Sequence, residues 1–82
     1  MTDPDRLAIA PTGSVVERYG LTPSELRVAL ALLEGKTPGA IAAGQGVSLA
    51  TVRTHLSRLY DKTDTGGQAS LVLALAAAMR SV

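Results

Sequence analysis

Arg53, Thr54, Ser57 and Arg58 lie within a fifteen-residue stretch, 48–62, whose residue types suit reading and gripping a polyanion. An arginine fork can hydrogen-bond guanine O6 and N7 together, a contact worth about 1–3 kcal/mol of base discrimination. Thr54 and Ser57 are short enough to let a helix sit deep in a groove, and Thr54 can touch a thymine methyl. Ser48, Thr51, Arg58 and Lys62 are candidates for phosphate contacts. The last two would each add a salt-dependent increment to binding. Each residue also has a plainer reading. Arg53, Arg58 and Lys62 serve equally as solvated charges, the latter two near Asp61 or Asp64, and Ser48 and Thr51 as helix caps.

These residues need a helix to present them. At 100° per residue, Leu49, Val52, Leu56, Leu59, Tyr60 and Thr63 fall on one side, and Ala50, Arg53, Thr54, Ser57, Arg58 and Asp61 on the other. Ser48 supplies the N-cap. Upstream, Thr37-Pro38 starts a short helix over 37–44, with Ile41 and Ala42 facing inward, and Gln45-Gly46-Val47 makes a turn. A short helix, a Gly-containing turn and a longer helix with a polar outer face form a helix-turn-helix pattern. In that motif the second helix enters the DNA major groove.

Two further helices complete the unit. Leu21-Thr22-Pro23-Ser24-Glu25 combines a capping box with proline at the first helical position. Leu26, Ala29, Leu30 and Leu33 then make one apolar face, and Gly35 ends the helix. Gln68 to about Arg80 reads as a fourth helix, apolar along Leu71, Val72, Leu75 and Met79. Residues 1–19 hold Pro4, Pro11 and Gly13 without sustained periodicity and read as a tail or linker, with a short turn near Val15–Tyr19. The domain organisation is therefore 1–19 as tail or linker and 20–82 as a helix-turn-helix domain. The fold class is all-α.

Composition narrows the function. The chain has 82 residues, enough for one small domain, and no Cys, which removes disulfides and thiolate zinc sites. A lone His55 makes no metal site and reads instead as a packed structural residue. Net charge is only +1, but Arg53, Arg58, Lys62 and Arg80 concentrate positive charge in the second half against Asp61 and Asp64. Tyr19 and Tyr60 are the sole aromatic residues, so no base-stacking platform for RNA or single strands exists, and duplex DNA is the better partner. No nucleophile pairs with a histidine and no phosphate loop joins strand to helix, so no enzyme activity and no cofactor are expected. No apolar run is long enough to span a membrane, and a cytoplasmic location is expected.

The order and spacing of Leu21-Thr22-Pro23-Ser24-Glu25, Gly35, Ile41-Ala42, Val47-Ser48, Thr51-Val52-Arg53-Thr54-His55, Leu59, Lys62 and Gln68-Ala69-Ser70-Leu71 resemble the LuxR-type, or GerE-like, helix-turn-helix domain over roughly residues 20–77. The resemblance implies a four-helix domain that regulates transcription, often as a homodimer. It implies base contacts at Arg53, Thr54 and Ser57 and phosphate contacts at Ser48, Thr51, Arg58 and Lys62. It also implies dimerisation through the fourth helix, for which Leu71, Leu75, Ala78 and Met79 are candidates, and an upstream sensing or receiver domain in a longer protein. This chain departs from the family pattern at Gln45, Ala40, Ser57 and Thr63, and carries Asp61 on the exposed face. A second hypothesis is a protein-interaction module that pairs with a related regulator through the fourth helix without binding DNA.

Overall fold

The computed structural model describes residues 15–80. These form a helical segment α1 over residues 15–19, then α2 (Pro23–Leu33), α3 (Pro38–Gln45), α4 (Leu49–Thr63) and α5 (Gln68–Arg80). No strand occurs among the described residues.

Each turn is set by local chemistry. Thr22 and Glu25 close the expected capping box at the mouth of α2. The Glu25 N–H donates to Thr22 Oγ1 at 3.2 Å and the Thr22 N–H to Glu25 Oε1 at 2.9 Å. Thr37 caps α3, accepting from the Ala40 N–H at 3.2 Å. α3 contains Gly39 and Gly44, which weaken a helix, so it holds its shape by burying Ile41 and Ala42 against its neighbours. It stops at Gly46, whose φ of +68° only glycine adopts freely. The Val47 N–H then reaches back to the Ala42 carbonyl at 3.1 Å, closing the turn between α3 and α4.

α4 stops by the same device with a costlier residue. Asp64 takes the left-handed position at φ +56°, and the Thr65 N–H donates to the Tyr60 carbonyl at 3.0 Å.

The core joins all five helices through Val15, Val28, Ala29, Leu32, Ile41, Val52, Leu56, Leu59, Leu71 and Leu75, among others. Residues 15–19, expected within a tail and near a short turn, are helical, and Val15 is buried in that core.

The inward face of α2 corrects the sequence reading. Leu26, Leu30 and Leu33 are only partly buried, and the buried line is Glu25, Val28, Ala29 and Leu32, with Ala31 beside it. The stripe sits one residue back from the expected one because a carboxylate, Glu25, occupies an inward position. Along α4 the buried residues are Val52, Leu56, Leu59 and Thr63, while Leu49 is 37% exposed at the first turn.

Candidate nucleic-acid interface

α4 is oriented by its buried line. Val52, Leu56, Leu59 and Thr63 follow at intervals of four, three and four residues and hold one side of the helix in the core. Ala50, Thr54, Ser57 and Asp61 repeat the same intervals two residues earlier, hence about 200° around the helix, and all four are exposed. Arg53 and Arg58 are also exposed, one on each flank of that outer line. The three expected base-contacting residues, Arg53, Thr54 and Ser57, therefore share one accessible surface with Arg58.

The first turn of α4 is pre-set by its cap. The Thr51 N–H donates to Ser48 Oγ at 3.1 Å, and the Ser48 and Thr51 hydroxyls lie 3.0 Å apart. Both side chains have a structural role in holding the exposed N-terminus of the helix. The same terminus carries the positive end of the helix dipole, which favours a phosphate. Thr54 Oγ1 donates to the Ala50 carbonyl at 3.1 Å, so its hydroxyl proton is held by the helix itself.

Lys62 is placed differently from expectation. Its ammonium donates to Glu25 Oε1 at 2.6 Å and to the Gly20 carbonyl at 2.8 Å. An expected phosphate contact is thus an internal tie, because the buried Glu25 carboxylate needs a counter-charge and, among the described residues, Lys62 supplies it. Glu25 is 1% exposed. Burial pushes its carboxyl pKa up, but the hydrogen bond and charge from Lys62 and the Thr22 N–H outweigh that and hold it below the ordinary carboxylate range. Sequence reading assigned Glu25 to the capping box and missed this second role. The two residues lie 37 positions apart, beyond any local spacing signal.

Three of the four dimerisation candidates are also corrected. Leu71, Leu75 and Ala78 are buried in the protein's own core, where a second copy has no access, and Met79 is half-buried. The opposite side of α5 shows Ala69, Leu73 and Ala77, with Leu73 70% exposed. An open groove of about 680 Å³ runs beside it, lined by Leu32, Gly35, Lys36, Thr37, Gln68, Ala69, Val72 and Leu73 and by no residue of α4. His55 is half-buried, as a structural residue would be, yet its shielded Nδ1 has no hydrogen-bond partner. No helix among the described residues is long and apolar enough to cross a membrane.

This arrangement can present a polar, arginine-flanked helix face to a groove while three neighbouring helices grip its back. Residues 20–75 match the GerE family model, described as bacterial regulatory proteins, luxR family. No curated protein and no solved structure matches the chain. The matched family is one of DNA-binding regulators rather than catalysts. With the helix-turn-helix of α3 and α4 and a family match over most of its length, this chain belongs to the luxR family of bacterial regulatory proteins.

Proposed function

We propose that this chain binds duplex DNA sequence-specifically by laying the outer face of α4, within residues 48–62, in the major groove, and that it regulates transcription alone or as the output domain of a longer regulator. The observation that carries the proposal is the exposure of Arg53, Thr54, Ser57 and Arg58 on the side of α4 facing away from the core. Arg53 is the base reader, with Thr54 and Ser57 beside it. Arg58 and the first turn at Ser48 and Thr51 grip phosphate. Lys62 is left out of the contact set, because its charge is matched by Glu25.

A single footprint with two free arginines is small, which favours action as a homodimer on paired half-sites about 34–36 Å apart. The exposed Ala69, Leu73 and Ala77 on α5 offer the contact, in place of the buried leucines. A cytoplasmic location follows from this role.

Selection of bound sequences from a random duplex pool tests the proposal. Enrichment of a defined site, bound in preference to competitor DNA, is the expected result. Failure to enrich any sequence at low salt, together with capture of a related regulator, favours the interaction module instead.

A further inference from the structure

The outer line of α4 has an unusual chemistry for a helix proposed to meet DNA. Ala50 offers a methyl, and Thr54 has committed its hydroxyl proton to the Ala50 carbonyl, leaving a methyl and acceptor lone pairs. Ser57 can donate or accept. Asp61 ends the line with a carboxylate, exposed and without an ion-pair partner among the described residues. The neighbouring cation, Lys62, is turned to Glu25 and does not neutralise it. The central line therefore carries acceptors and a negative charge, while the arginines stand at its flanks.

Taking the DNA-binding reading as its basis, we infer that Asp61 is a specificity-determining residue: it selects a base presenting an exocyclic amino group, cytosine N4 or adenine N6, and rejects guanine. The major-groove edge of guanine offers N7 and O6, both acceptors, which repel a carboxylate. An amino group donates to the carboxylate and offsets its loss of water. On a random duplex that compensation is absent. Binding there rests on phosphate attraction alone, against which a carboxylate acts directly. Asp61 therefore lowers non-specific binding more than specific binding and widens the ratio between them.

The test compares the wild-type protein with Asp61→Asn. Because Asp61 is exposed and its side chain makes no internal bond in the described structure, the variant folds, and its thermal midpoint serves as the control. Sites are selected with both proteins, and affinities are measured on the wild-type site, on that site with guanine at the amino-bearing position, and on a random duplex. The expected result is an adenine or cytosine preference that Asp61→Asn relaxes, with random-duplex affinity rising about three-fold or more. Guanine at that position should cost the wild type about ten-fold and the variant clearly less. Unchanged base preference and an unchanged specific-to-random ratio in the variant overturn the inference while leaving DNA binding intact. A wild-type protein that enriches no sequence overturns the DNA-binding reading itself, and the inference with it.

Discussion

Lys62 Nζ lies 2.6 Å from Glu25 Oε1 and ties the end of α4 to the first turn of α2. The same carboxylate oxygen accepts the Thr22 N–H, and the same ammonium donates to the Gly20 carbonyl. Four structural tasks meet at this pair. It caps α2, neutralises a buried charge, holds the turn after α1, and joins α4 to α2.

Glu25→Gln should destabilise the domain by about 2 kcal/mol. That figure lies between the cost of breaking a fully buried pair and the small worth of an exposed one, since the Lys62 side chain is 31% exposed. The folded Glu25 carboxyl holds its proton less tightly than the unfolded one. Its contribution is complete above the ordinary value of 4.5 and is lost as pH falls through the lower folded value. Thermal melts across the acid range should therefore show a pH dependence that the glutamine variant flattens. Equal midpoints for both proteins at neutral pH would contradict this account of the pair.

Arg53→Ala and Arg58→Ala should fail in different ways. The first should relax base preference at one position of a selected site, with a loss of about 1–3 kcal/mol on that site and little on random DNA. The second should weaken all duplexes and reduce the salt slope by about one. Lys62→Met should lower stability and leave the salt slope of the folded protein nearly unchanged, because its charge is already matched by Glu25. Binding isotherms at several salt concentrations separate the three.

Asp64→Gly should raise stability by about 0.5–1 kcal/mol. Asp64 holds the left-handed position at φ +56°, which glycine adopts without strain. Its negative charge also sits at the negative end of the α4 dipole. A chemical denaturation curve measures the gain, and a loss would mean that the Asp64 side chain has a stabilising partner.

On the proposed dimer contact, Leu73→Ser should leave folding intact and abolish self-association. The residue is 70% exposed, so its loss removes little core. Sedimentation with and without a two-half-site duplex gives the readout. Dimers that survive the substitution would place the contact elsewhere.

Much of this fold was legible because its signals are local. Thr22, Thr37 and Ser48 each cap a helix as their spacing with following residues implied. The strong period along residues 49–63 also gave the orientation of α4. Tertiary pairings were harder to read. The inward face of α2 was misjudged because a carboxylate at Glu25 reads as solvent-facing until its partner, 37 residues away, is known. On α5, the period placed Leu71 and Leu75 on the apolar side, and both are buried, but it gave no sign that Leu73 on the other side stands 70% exposed as the proposed contact surface. Arg53, Thr54, Ser57 and Arg58 were legible as a group, since a helix with one buried line leaves its opposite side open.

The central claim is that the outer face of α4 is the surface that meets duplex DNA. Amide chemical-shift mapping during titration with a selected duplex tests it most directly. The account predicts shifts concentrated over residues 48–61, with Arg53, Thr54 and Ser57 among the largest. Shifts confined to α5 and the groove beside Leu73, with α4 unperturbed, would contradict it.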